Sequence, residues 1–422
     1  MKVSLHFAIL ILLSCVFNAS AQDTTFVIKP ARVFDGVNMH TDWEVAYKGN
    51  KIIFAGAGTF NQFAGPIKRI EMPSATLLPG LIEGHSHLFL HAYNEVSWND
   101  QVLKESRAER TARAVVHARK TLLAGFTTVR DLGTEGAGYD DVGLKKAIDK
   151  GVIPGPRMLV ATRAIVATGT YGPKPETAEL DLPRGAAEVG NQEELIKEAR
   201  VQMGKGADLI KIYADYGSGR NNESMPTFTA AELKAAVDVV NSSGRQVAVH
   251  ASTKEGMLRS IAAGVSTIEH GDNGNLEVFR LMKEKNVAWC PTLAAGESIS
   301  KYNGWKKGRD ADPERVAKKK KAFQYALQSG VTICMGGDVG VYNHGNNALE
   351  MELMVAYGMK PIAVLRSATS VNADTFGIGN QYGRIKEGLL ADLVLVKGNP
   401  EADITTIRNV TLVIKNGITY KP

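Results

Sequence analysis

Hydrophobic positions follow two different regimes along the chain. From Thr25 to Pro79 they come in short β-rich runs, Phe26-Val27-Ile28, Trp43 to Ala46 and Lys51 to Ala55, with Gly and Asn turns between them. The same texture returns at the other end in Ala391 to Val396 and Val410 to Ile414. The middle alternates instead. Strand-like runs are Leu81 to His87, Phe126 to Asp131, Arg157 to Ala161, Asp208 to Ala214, Gln246 to Ala251, Ser266 to His270, Val287 to Leu293 and Val331 to Asp338. Helical periodicity lies between most of them, in Glu105 to Leu123, Gln192 to Met203, Thr229 to Val240, Lys254 to Ala263, Leu276 to Lys285 and Pro313 to Gln328.

Strands alternating with helices in this way predict an α/β protein built on a parallel (β/α)8 TIM barrel, over residues 80–383. The two β-rich ends, 22–79 and 384–422, are expected to assemble into one small β-sandwich. An open doubly wound sheet is the competing arrangement; no G-x-G-x-x-G follows the first strand to support it as a dinucleotide fold.

Met1 to Ala21 reads as a secretory signal peptide: Lys2, an apolar run from Phe7 to Phe17, and small residues at Ala19-Ser20-Ala21 before Gln22. Export to the periplasm or medium is the expectation, with lipid anchoring through Cys15 as the alternative. The apolar run is short for a bilayer and no later stretch of 18 apolar residues exists. After cleavage Cys290 and Cys334 remain, too few for a disulfide framework; two buried free thiols are expected, a single disulfide being the alternative.

Composition adds limits. With 422 residues, 44% hydrophobic and 22% charged, the chain is neither disordered nor fibrous. The net charge of +6 is scattered, and the one dense basic run, Lys318 to Lys321, falls on a helical stretch where it is expected to form a solvated face, with no basic-aromatic module beside it. No nucleic-acid partner is expected.

The chemistry lies at the strand ends. His85 and His87 are two apart, so period-two geometry turns both rings to one face. His250, His270 and Asp338 each end a predicted strand, on the side where barrel enzymes build their sites. Together they predict a metal site. Lys211 stands inside Leu209-Ile210-Lys211-Ile212-Tyr213, where a bare ammonium is costly to bury. Reaction with carbon dioxide would make it an anionic carbamate able to bridge two metals; the alternative is an ion pair with a carboxylate such as Asp215.

The sequence resembles the amidohydrolase superfamily, in the branch of secreted imidazolonepropionase-related enzymes and prolidase-like metal-dependent dipeptidases. The resemblance rests on Leu78-Pro79-Gly80-Leu81-Ile82-Glu83-Gly84-His85-Ser86-His87, Gly206-Ala207-Asp208-Leu209-Ile210-Lys211, Glu269-His270-Gly271 and Gly388-Leu389-Leu390-Ala391-Asp392-Leu393. Glu83 and Ser86 depart from the commoner Asp and Thr. The resemblance implies two divalent metal ions, one held by His85, His87 and Asp338 and the other by His250 and His270, bridged by carbamylated Lys211. Zn2+ suits such ligands, with Mn2+, Co2+ and Fe2+ left open. It implies attack by a metal-bridging hydroxide, Asp338 passing the proton to the leaving amine.

The expected substrate is a dipeptide, Xaa-Pro or other, or an N-acyl amino acid, ochratoxin-like amides included. A cyclic amide or lactone hydrolase is the alternative, and a non-catalytic exported metal-binding protein a lesser one. Tyr213, Tyr171 and His344 are candidate substrate contacts, although relatives carry a histidine near the position of Tyr171. Arg130-Asp131 is expected as a structural ion pair, His117 on a helix surface, His91 in the first loop and His40 in a turn. Relatives assemble into homo-oligomers, which is therefore expected here.

Overall fold

The computed structural model describes residues 24–61, 65–177 and 179–421. The expected signal segment, with Cys15, lies outside the described residues.

Strands from both ends of the chain join one hydrogen-bonded sheet of eight. Thr25–Phe34 pairs antiparallel with Trp43–Lys48 and parallel with the long strand Ile67–Pro79. The end of that long strand pairs antiparallel with Leu393–Lys397, which in turn carries Val410–Lys415. Alternation explains the apolar density of these strands. Val33, Leu77, Leu393, Leu395 and Ile414 pack into one cluster, while Phe34, Leu78, Val394, Val396 and Val413 pack into the large core of the remaining chain. Both faces are buried, so both sets of positions are hydrophobic.

The middle of the chain is parallel. Leu81–Ser86, Phe126–Asp131 and Arg157–Val160 form one ladder. Leu209–Tyr213, Gln246–Ala251, Thr267–His270 and Ala288–Cys290 form another. Backbone hydrogen bonds connect the two: Asp208 N donates to Val160 O at 2.8 Å on one side. On the other, segment 331–339 bridges them, Trp289 N donating to Thr332 O at 2.9 Å and Asp338 N to His85 O at 2.8 Å. All eight predicted strand positions therefore carry parallel pairing, the eighth through isolated bridges. Two short strands, Ile165–Ala167 and Ala187–Val189, and the hairpin Asp215–Gly217 with Ser224–Pro226 were not foreseen.

The six predicted helices form, and five of them start at a side-chain cap, Glu314–Ser329 following Pro313 without one. Ser106, Asn191, Thr229, Thr253 and Asn275 each accept a backbone N–H from the first turn through the side chain. Gly206, Gly264 and Gly330 end three of them in the left-handed conformation. Helices Asp140–Asp149, Leu293–Tyr302 and Ala348–Ala356 are additional. Among the described residues no helix is long and apolar enough to cross a membrane. Cys290 and Cys334 are free and buried.

Segment 331–339 approaches the first parallel strand closely because two glycines allow it. A Cβ on Gly336 would lie 2.4 Å from Cys290 Sγ and 2.8 Å from His85 N, and one on Gly84 would lie 2.6 Å from Met335 O. The obstacles include backbone, which cannot swing away. Gly336→Ala is therefore expected to cost about 1–3 kcal/mol, seen as a lower melting temperature; an unchanged melting temperature would contradict this contact.

Candidate active site

Five of the predicted residues converge on one cavity. His85, His87, His250, His270 and Asp338 all border a pocket of about 580 Å³. The His85 ring centroid is 5.3 Å from that of His87 and 5.0 Å from that of His270, and the His250 and His270 centroids are 4.5 Å apart. Asp338 Oδ1 lies 3.7 Å from His85 Nε2 and 3.4 Å from His87 Nε2. His85, His270 and Asp338 present donor atoms close enough together to share one metal ion. His270 and Asp338 have φ values of 70° and 64°. A non-glycine residue is held there only when its surroundings over-determine it, and here the strand ends turn these side chains toward the pocket.

Burial tunes the group toward metal binding. Desolvation, then the Lys211 charge, pushes the His85 imidazole well below its usual range and His250 down to about 3. His270 is likewise pushed well down, by burial first and neighbouring histidines second. Neutral imidazoles keep the lone pair that a metal requires. Burial raises the Asp338 carboxyl.

Lys211 is fully buried, its Nζ lies 5.5 Å from the Tyr213 ring centroid, and that Nζ has no hydrogen-bond partner. Burial lowers its pKa. The alternative pairing with Asp215 does not occur. Asp215 accepts from Ser252 N at 2.9 Å and from Thr253 N and Oγ1 at 2.7 Å, and lies 3.7 Å from His250 Nε2.

Several residues hold this group in place and were not assigned a role from sequence. Glu269 Oε2 accepts from His85 Nδ1 at 2.9 Å, and its Oε1 accepts from Arg130 at 2.7 Å and Thr267 Oγ1 at 2.5 Å. Arg130 thus pairs with Glu269, correcting the expected pair with Asp131, whose carboxylate accepts from Leu88 N. Glu83 accepts from His85 N, Gly337 N and Asn347 Nδ2, and burial raises it to about 7. Lys319 donates to His270 O at 2.7 Å and Pro291 O at 2.8 Å. It comes from the basic run expected to be solvated, yet is buried. The signal for Glu269 was its place on a buried strand immediately before His270.

Of the three candidate substrate contacts, two border the cavity. Tyr213 stacks on His250 at 4.4 Å, and Tyr171 lies 4.9 Å from Tyr213 with its hydroxyl donating to Glu135. His344 does not border it. Its Nε2 donates to Leu90 O at 2.9 Å and its ring stacks at 4.3 Å on His117, in a separate cavity of about 440 Å³. His117, expected on a helix surface, is buried and bonds Leu88 O. His91 is buried between Glu95 and Glu105, and His40 lies in a short strand, stacked on Trp43.

Imidazoles and a carboxylate gathered at the C-terminal ends of parallel strands, over a deep pocket, follow the plan of an α/β enzyme site. The chain belongs to the amidohydrolase family, whose sequence profile matches residues 76–419. It is 30% identical over 384 residues to the ochratoxinase of Aspergillus niger, covering 82% of this chain and 75% of that protein. The crystal structure of a Xaa-Pro dipeptidase with methionine bound in its active site superposes with a TM-score of 0.83 at 32% identity, over 94% of this chain and 100% of that one. The A. niger ochratoxinase structure superposes with a TM-score of 0.81 at 25% identity, over 95% and 96% of the two chains. The protein is accordingly a hydrolase of amide bonds, in a family that generally uses divalent metals.

Glu269→Gln removes the charge that orients the His85 ring and leaves the Arg130 guanidinium unbalanced. Metal affinity is expected to fall about 10–100-fold, read by titration against a chelating indicator; unchanged affinity would remove Glu269 from the site's support.

Proposed function

We propose that this chain is an exported, binuclear metal-dependent amidohydrolase that cleaves dipeptides or N-acyl amino acids. The observation that carries the reading is the buried, unpartnered Lys211 Nζ on the strand beside that of His250, next to a cavity bordered by four histidines and Asp338. We read the parallel strands with their connecting hydrogen bonds as a (β/α)8 barrel, with the eight-stranded sheet as its composite β-domain. Export rests on the pattern from Lys2 to Ala21.

The donor set fits divalent metals: imidazole nitrogens, a carboxylate and no thiolate, as Zn2+ and its neighbours accept. His85, His87 and Asp338 would hold one ion, His250 and His270 the second. Lys211 as a carbamate, formed by adding carbon dioxide to the free amine with loss of a proton, would supply the anion between them. Bound metals supply an acidified water and polarise the substrate carbonyl.

The remaining work falls to the chain's own side chains. Asp338, with burial raising its proton affinity, takes the proton of the attacking water and delivers it to the leaving nitrogen. Glu269 and Gly133 O hold the His85 and His87 rings through their Nδ1 atoms. Tyr213 and Tyr171 form a wall for the substrate. Arg315, 3.9 Å from Asp272 at the cavity wall, provides a cation for the carboxylate of an amino-acid product. An amino-acid-derived amide suits this combination.

Protein purified with zinc and bicarbonate is expected to carry about two metal ions per chain by elemental analysis, and Lys211→Ala to lower that ratio. A ratio near one in the unaltered protein would overturn the bridged pair, and no bound metal would overturn the mechanism. On a panel of dipeptides and N-acyl amino acids, Asp338→Asn should lose turnover by about 10²–10⁴-fold while the fold persists by circular dichroism. Normal turnover in that variant would show that Asp338 does not carry the proton.

A further inference from the structure

A carboxylate with a free oxygen stands among aromatic rings on one side of the cavity. Glu135 follows the strand Phe126–Asp131, has a φ of 50°, is 2% exposed and borders the pocket. Its Oε2 accepts from Trp98 Nε1 at 3.1 Å and from the Tyr171 hydroxyl. Its Oε1 has no hydrogen-bond partner. His87 Nδ1 lies 4.0 Å away, but that nitrogen is engaged with Gly133 O at 2.8 Å. Arg110 makes its hydrogen bonds in this turn to the backbone alone, donating to Glu135 O and Thr134 O, and acts on the Glu135 carboxylate through its charge without a hydrogen bond to it. A buried carboxylate oxygen without a donor carries a desolvation cost that a ligand's N–H can offset.

The surroundings specify which ligand. The Tyr171 ring is 4.9 Å from both Tyr213 and Tyr216 and 5.1 Å from Trp98. Aromatic faces attract cations through their quadrupoles, and a carboxylate among them completes a receptor for an ammonium group. The position also fits a substrate with two charges. Glu135 is on the His87 side of the cavity, whereas Arg315 is beside Asp272, two residues beyond His270.

We propose that Glu135, with the wall of Tyr171, Tyr213 and Tyr216, binds the free amino terminus of the substrate, so that dipeptides are preferred over N-acyl amino acids. This rests on the reading that the cavity cleaves amides of amino acids, and narrows its substrate class.

Two measurements test it. The first compares kcat/KM for alanyl-phenylalanine with that for N-propionyl-phenylalanine, which differs by the amino group alone. The intact enzyme should favour the dipeptide by about 10-fold or more, and Glu135→Gln should collapse that ratio. If the variant lowers both rates equally and keeps the ratio, Glu135 acts through His87 or Tyr171 and the proposal is overturned.

The second measures binding of phenethylamine and of 2-phenylethanol to the metal-loaded enzyme by calorimetry. The amine should bind about 10-fold tighter, with the difference lost in Glu135→Gln; equal binding in the intact enzyme overturns the proposal. Amine preference without cleavage of any amide would remove the proposed function and keep this site. Cleavage of both amides at equal rates would do the reverse.

Discussion

The Glu269 carboxylate is fully buried, and the floor of the cavity is arranged around it. One oxygen takes the Arg130 guanidinium and the Thr267 hydroxyl, and the other takes the His85 ring. Arg130 uses further donors on Gly84 O at 2.6 Å and Thr267 Oγ1 at 3.0 Å, and its guanidinium lies 4.1 Å from the Phe376 ring centroid. Burying an ion pair costs desolvation that is offset only when the remaining hydrogen-bonding capacity is also filled. Here it is filled by groups on three strands, Leu81–Ser86, Phe126–Asp131 and Thr267–His270. One electrostatic cluster thereby sets the relative positions of these strands and the orientation of His85 together.

The same device recurs at the other strand ends. Glu83 ties His85 N to Gly337 N, so the first parallel strand and the turn carrying Asp338 move as one. Asp215 fixes the Ser252-Thr253 turn beside His250. Lys319 grips the carbonyls of His270 and Pro291 while pairing with Asp272. His85, His250, His270 and Asp338 are thus each supported by a buried charge from another element, which holds the left-handed backbones of His270 and Asp338, while the His87 ring is held by Gly133 O. A site held this way needs little rearrangement when charge develops in it. Lys211 stands apart: a buried amine whose Nζ has no hydrogen-bond partner.

Outside this cluster, polar contacts serve the loops. The stacked rings of His117 and His344 hold Leu88 O and Leu90 O, both in the segment that follows His87. Tyr171, Tyr213 and Tyr216 line a different wall together with Glu135, whose carboxylate accepts from Tyr171 and from Trp98 behind it. The cavity therefore separates into a metal-suited floor, an aromatic wall with one carboxylate, and a cationic edge at Arg315.

Period-two alternation and helical periodicity are local properties, so the chain's own order of residues determined the succession of strands and helices. It also determined that His85, His87, His250, His270 and Asp338 end strands on a common side, because parallel strands place their C-terminal ends together. Capping residues such as Thr229 and Asn275 marked helix starts for the same local reason. Other features depend on contacts between distant segments. Glu269 and His85 are 184 residues apart, and nothing near either shows that they meet. Lys319 looked like one of four solvated lysines, but the packing of its helix against the strand ends buries it. His344 follows the last parallel segment as a site residue would, yet its loop turns the ring onto His117. Glu135 carried no periodic signal at all, since a loop side chain takes its direction from a left-handed backbone and from the Trp98 and Tyr171 donors that only tertiary packing brings to it.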